Sequence, residues 1–216
     1  MRKRAMDAVS PRARRAFRAL CCALLLAAAS PAQAVFFTVD EAIAELFPDG
    51  DVTRTTVVLD DEARARVADA SDGEAPTSIV HPYVVCRDGK PCGTVYFDVH
   101  RVRTRRETVA VAIAPDGRAM RVLVCAFAEP QDYIPPQPFY DQFIDRSLDD
   151  RLRLRRGVDA VTGATLTCKA VVGCVRRVLA LHAELGRKPD PKPKPDGPPP
   201  AGEPDGHEIA MSRKRR

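Results

Sequence analysis

The chain has 216 residues, with 34 Lys or Arg against 29 Asp or Glu, 45% hydrophobic residues and no tryptophan, enough for one sizeable core or two small lobes. The net charge of +5 lies at the ends: residues 1–34 hold seven basic residues and one Asp, residues 187–216 hold eight basic and five acidic, and the body 35–186 is left at about −4. Such a body has no electrostatic footprint for nucleic acid, so that partner class is excluded.

Residues 1–34 read as a signal peptide. A basic region from Arg2 to Arg18 precedes an apolar stretch, Ala19 to Ala29, and Ala32-Gln33-Ala34 supplies the small residues a signal peptidase needs. The apolar stretch is short for a membrane-spanning helix. Cleavage after Ala34 places the mature chain in the periplasm or on the outer face of the cytoplasmic membrane.

Thr38-Val39-Asp40-Glu41 has the form of a capping box and predicts a helix to about Phe47, where Pro48-Asp49-Gly50 stops it, with Val39, Ile43, Leu46 and Phe47 as its apolar face. Val52 to Leu59 reads as a strand, and Asp61 to Ala70 as a helical turn or two. An antiparallel meander follows: Ile79–Val85, Thr94–Val102 with Val95, Phe97 and Val99 on one face, Thr108–Ala114 and Ala119–Cys125. Pro115-Asp116-Gly117-Arg118 turns the last pair. Phe127 to Pro138 is too proline-rich for a regular element and reads as a functional loop. A short helix follows from Phe139 to about Ile144.

Leu166 to Leu185 is the strongest helix. Leu166, Val171, Val172, Val175, Val178, Leu179 and Leu181 form its apolar face, and Gly186 ends it. Beyond it, Pro189–Pro204 contains eight prolines, so 187–216 reads as a disordered tail ending in a basic cluster. The expected fold is therefore α+β: an antiparallel β-meander packed with a few helices, occupying 35–186.

Five cysteines follow residue 34. Cys86 and Cys92 flank Arg-Asp-Gly-Lys-Pro, and a hairpin there either clasps them in a disulfide or leaves them apart. Cys168 and Cys174 face different ways on one helix. The four histidines (His81, His100, His182, His207) show no metal-ligand spacing, so no metal site is expected. No Ser-His-Asp arrangement, phosphate loop or dinucleotide glycine fingerprint is present.

The informative stretch is Asp159-Ala160-Val161-Thr162-Gly163-Ala164-Thr165. Thr162 or Thr165 would serve as a plain helix cap, but capping leaves Asp159 and the second Thr unexplained. A hydroxyl in the first turn of a helix also lies beside unpaired backbone amides and the positive dipole end, which would hold a phosphate joined to it. Gly163 and Ala164 would leave room for that phosphate.

This segment resembles the flavinylation motif of the FMN-binding domain family. The family includes the C and G subunits of the sodium-pumping NADH:quinone reductase and Rnf complexes. The resemblance extends more loosely over Thr38 to Leu185. It implies that a flavin transferase of the ApbE type links FMN through its phosphate to Thr165, with Asp159, Thr162, Gly163 and Ala164 completing the motif. A thiol at Cys168, where the family often has Ser, is expected near the phosphate. The implied activity is electron transfer rather than substrate turnover, with a membrane oxidoreductase or a cytochrome as redox partner. A flavin-dependent reductase acting with a partner, or a redox-sensing regulatory module, is the alternative. Tyr133, Ile134 and Phe139 either flank the flavin ring or pack the loop. Arg151, Arg153, Arg155 and Arg156 either place one cation near a reduced flavin or form a solvated strand face.

Overall fold

The structure is a computed structural model that describes residues 34–187. The expected signal peptide, Ala34 apart, and the expected proline-rich tail, Arg187 apart, lie outside the described residues.

Helix α1 (Val39–Leu46) starts at the expected capping box: Thr38 N donates to Glu41 Oε2 at 2.8 Å, and Glu41 N donates to Thr38 Oγ1 at 3.3 Å. Ile43 and Phe47 are buried, whereas Val39 is 39% exposed. Val52–Leu59 is two strands rather than one. Strand β2 (Asp51–Arg54) joins the edge of the main sheet, and β3 (Val57–Val58) pairs with β4 (Ile79–Val80). The same break separates β4 from β5 (Tyr83–Arg87), at Pro82. Proline has no N–H to continue a ladder, and the carbonyl of Pro82 instead accepts from Thr55 N.

Helix α2 (Asp61–Ser71) is longer than the turn or two expected. Asp60 Oδ1 caps it by accepting from Ala63 N at 2.7 Å, and Ala63 and Val67 are drawn into the core. Strands β5, β6 (Lys90–Arg101), β7 (Arg106–Ile113) and β8 (Ala119–Phe127) form the expected antiparallel meander. With β1 (Ala34–Val35) on β8, the sheet order is β1-β8-β7-β6-β5-β2. The fold is α+β.

The sheet is covered on both faces. Along β7, Val109, Val111 and Ile113 enter the larger core beneath α2, α3 (Gln137–Asp141) and α4 (Thr165–Gly186). Ala110 and Ala112 point the other way, into a smaller core with Ala42, Ile43 and Phe47 of the α1 segment. The ring of Phe47 lies so close to β6 that a Cβ on Gly93 would sit 2.6 Å from Phe47 Cζ. Burial on two faces explains why β7 lacks the apolar–polar alternation of a half-exposed strand.

The Cys86–Cys92 disulfide does not form, and both cysteines are free thiols. Asp88 and Gly89, with φ of 52° and 71°, make a two-residue turn that pairs Arg87 with Lys90 and Cys86 with Pro91. The register then shifts to Val85 opposite Gly93, so Cys92 falls at the bulge without a cross-strand partner.

Helix α4 has 22 residues and eleven buried ones, including the Val and Leu positions expected of its apolar face except Leu166, which is 47% exposed. Gly186 is its last residue rather than the one beyond it. Arg176 is buried on α4 and donates to the carbonyls of Ser71 at 2.8 Å, Asp149 at 2.8 Å and Leu152 at 3.4 Å. It ties α4 to the end of α2 and to the loop that leads into the motif.

Candidate functional site

The segment 159–165 is a closed turn before α4. The Gln142 side chain accepts from Asp159 N at 2.7 Å and donates to Asp159 O at 3.2 Å. Val161 O accepts from Ala164 N at 3.1 Å, and Ala164 O accepts the first helical bond from Cys168 N at 2.9 Å. Gly163 has φ of 87°, which only glycine adopts without strain, and a Cβ there would meet open space. The glycine is therefore required by backbone conformation, not by crowding. Ala164 is 4% exposed: it packs into the larger core and also lines a cavity with Thr165.

Thr165 opens α4 and is exposed, as are Asp159, Thr162 and Gly163. Neither threonine hydroxyl makes a hydrogen bond among the described residues, so neither caps the helix through its side chain. The amides of Thr165, Leu166 and Thr167, in the first turn, likewise lack an acceptor among the described residues. A free hydroxyl thus stands beside three free donors at the positive end of a long helix. Those groups fit a phosphate ester.

A cavity of about 230 Å³ opens at this point. Gly163, Ala164, Thr165, Leu166 and Thr167 line one side, and Val102, Arg103, Glu129 and Tyr133 the other. The Arg103 guanidinium lies 5.5 Å from the centre of the Tyr133 ring. Glu129 accepts from Thr104 N at 3.0 Å, Arg105 N at 3.1 Å and Thr104 Oγ1 at 3.2 Å. Those bonds hold its carboxyl below the usual range. A larger cavity, about 830 Å³, shares Val102 and Leu166 with the first and runs along α4 past Lys169, Ala170, Gly173 and Arg177.

Of the residues named from sequence, Tyr133 reaches the cavity of Thr165, while Ile134 is half-buried and lines none of it. Phe139 is 1% exposed and stacks edge-on with Tyr140 and Phe143 in the core, so it does not flank a ligand. Cys168 points away from the surface: it is fully buried, accepts from Val161 N at 3.4 Å, and burial pushes its thiol up. Arg151–Arg156 lies in turns, not on a strand, and Arg153 pairs with Asp72. None of these four arginines lines either cavity. Gln142, Arg103 and Glu129 were not identified from sequence. Each acts across more than a dozen positions of chain, and nothing local distinguishes them from ordinary surface polar residues.

A second cluster lies behind the larger cavity. Asp98, His100 and Cys174 place ligand-type atoms within 4.8 Å of one another. Their donors are engaged already: His100 bonds Asp98 through Nδ1 at 2.9 Å and Glu107 through Nε2 at 3.0 Å, and Arg177 grips Asp98 at 2.7 and 2.8 Å. Burial opposes charge on His100, but the two carboxylates outweigh it and raise the imidazole to about 9. Asp98 is likewise opposed by burial and, held by His100 and Arg177, falls to about 2. Residues 98, 100, 107 and 177 thus form a part-buried ion network, beside the buried Cys174 thiol, that pins α4 to β6 and β7.

Residues 105–180 match the family model of the FMN-binding domain. Among solved structures, the chain is similar to NqrC of Shewanella oneidensis, with 16% identity over 70% of this chain and 91% of that one and a TM-score of 0.44. No curated protein matches the chain significantly.

Proposed function

We propose that the chain, whose residues 105–180 match the family model of the FMN-binding domain, holds FMN as a phosphoester on Thr165 Oγ1 and relays electrons outside the cytoplasm. One observation carries this reading. Thr165 presents a hydroxyl without a partner among the described residues, in the first turn of a 22-residue helix and on the wall of a cavity. A threonine kept only to cap the helix would engage one of the amides beside it; this one leaves them bare.

Those amides and the helix dipole suit the single negative charge a phosphodiester retains. Asp159, Thr162 and Gly163 are exposed in a rigid turn, where a flavin transferase of the ApbE type can read them. In the transfer, Thr165 Oγ1 would take the place of AMP on the FMN phosphorus of FAD, with the pyrophosphate bond broken and the hydroxyl proton released. When bound, the flavin supplies one- and two-electron redox chemistry. Around it, Tyr133 offers an aromatic wall and Arg103 a cation that favours negative charge in the cavity.

The basic and apolar stretches of residues 1–34 support export, and a covalent link suits a carrier that would otherwise lose its cofactor outside the cell. A membrane oxidoreductase or a cytochrome is the redox partner this role calls for. The test is the intact mass of the full chain co-expressed with a flavin transferase. A gain of FMN less one water, absent in Thr165→Val, is the expected result. An unmodified wild-type chain beside a transferase that modifies a control substrate would overturn the reading.

A further inference from the structure

The β6–β7 hairpin carries four arginines in six residues, Arg101, Arg103, Arg105 and Arg106. We propose that this tip is the docking surface for a carboxylate-rich face of the redox partner protein. The use of the surface in electron exchange rests on the proposed function; its existence as a binding surface does not.

Its charge is offset only in part, by Glu129 beside Arg105 and by Glu74 on the cavity of Arg101 and Arg106. None of the four guanidinium groups makes an ion pair among the described residues. Three nearby carboxylates are also engaged by other groups. Glu129 spends its oxygen on the amides of Thr104 and Arg105 and the Thr104 hydroxyl, Glu107 is fully buried against His100, and Asp98 is held by Arg177 and His100. The body as a whole is negative, at about −4, so the positive field is local to this end of the molecule.

The tip is also pre-shaped. Val102 N donates to Arg105 O at 3.1 Å, Arg101 donates a side-chain bond to Thr104 O at 3.0 Å, and Ala128 N donates to Arg106 O at 3.0 Å. With the three Glu129 bonds, these hold the backbone in one conformation, which lowers the ordering cost of binding. Finally, the tip adjoins the reactive hydroxyl. Arg103 lines the same cavity as Thr165, while Arg101 and Arg106 line the neighbouring cavity with Leu166 and the exposed Lys169. A partner seated on these arginines therefore comes close to whatever Thr165 carries. Complementary charge of this kind chiefly raises the association rate and makes it sensitive to salt.

The test uses the full chain, with and without FMN, and two probes of opposite charge: an acidic plant-type ferredoxin and a basic mitochondrial cytochrome c. Ferredoxin binding is followed by fluorescence anisotropy at about 20 mM and about 200 mM salt, where the screening length shortens severalfold. The combined variant Arg101→Glu, Arg103→Glu and Arg106→Glu is expected to bind ferredoxin at least about tenfold more weakly at low salt and to lose most of its salt dependence. The same variant should bind cytochrome c more tightly. The milder Arg→Gln set should fall between, and a thermal melt of each variant reports folding. Arg155→Glu with Arg156→Glu, exposed arginines away from both cavities, should leave ferredoxin binding unchanged. Equal binding by the wild type and both hairpin sets, or equal loss in the Arg155/Arg156 variant, overturns the proposal. Intact mass reports the state of Thr165 separately, so failure of flavin attachment and failure of docking are told apart.

Discussion

The Gln142 carboxamide pairs with both backbone groups of Asp159, accepting from its N–H and donating to its carbonyl, as one rung of a β-ladder would. Gln142 is the C-cap of α3, whose Phe139 and Tyr140 are core residues. The start of the motif is therefore fastened to a packed helix rather than left to the loop.

Replacing Gln142 with Ala is expected to loosen the motif without unfolding the domain. Both bonds involve exposed groups, so the stability cost should stay near 1 kcal/mol. Flavin loading by the transferase should fall by more than that loss explains. Urea unfolding alongside intact mass checks this, and full loading at the wild-type rate would show that the rung has no bearing on modification.

Gly163→Ala separates conformation from space. A side chain meets nothing within 4 Å, but φ is 87°, so strain of about 1–2 kcal/mol is expected. The turn should relax by shifting Thr165 relative to Thr162, with loading by the transferase reduced at least severalfold. Unchanged loading despite a lowered melting temperature would mean that the transferase tolerates other geometries of the turn.

The His100 network gives a pH dependence of known sign. The imidazole, at about 9 in the folded protein against 6.5 as its ordinary value, contributes stability that is fully present below about pH 6.5. That contribution disappears as pH rises through about 9 and amounts to something on the order of 3 kcal/mol. The groups facing it are Asp98 and Glu107 on the sheet and Arg177 and Cys174 on α4. Denaturant unfolding between pH 6 and 10 should show the loss, and His100→Gln should flatten it; parallel profiles for the two proteins would refute the assignment.

Arg176→Met keeps the stem of the side chain and removes its donors. The carbonyls of Ser71, Asp149 and Leu152 lose their shared partner, and a loss of about 2–4 kcal/mol is expected. Hydrogen exchange should quicken in 149–158 before it does in the sheet. A neutral substitution would show that water replaces the guanidinium there.

What the sequence alone determined was set by short-range physics. The Thr38–Glu41 box, the Asp88-Gly89 and Pro115–Gly117 turns, the meander and the long final helix each follow from neighbouring residues. The Asp159–Thr165 motif is equally local, a continuous stretch that the proposed transferase would read. Tertiary structure decided the rest. Phe139 looks like a ring-flanking aromatic until Tyr140 and Phe143 claim it for the core. Cys86 and Cys92 look like a clasp until the two-residue turn sets Pro91 opposite Cys86 and a bulge leaves Cys92 without a cross-strand partner. Arg103, Glu129 and Gln142 become part of the site only because the sheet, the helix α3 and the start of α4 meet at one point. Spacing along the chain carries no information about such meetings; burial of the two faces of the sheet brings them about.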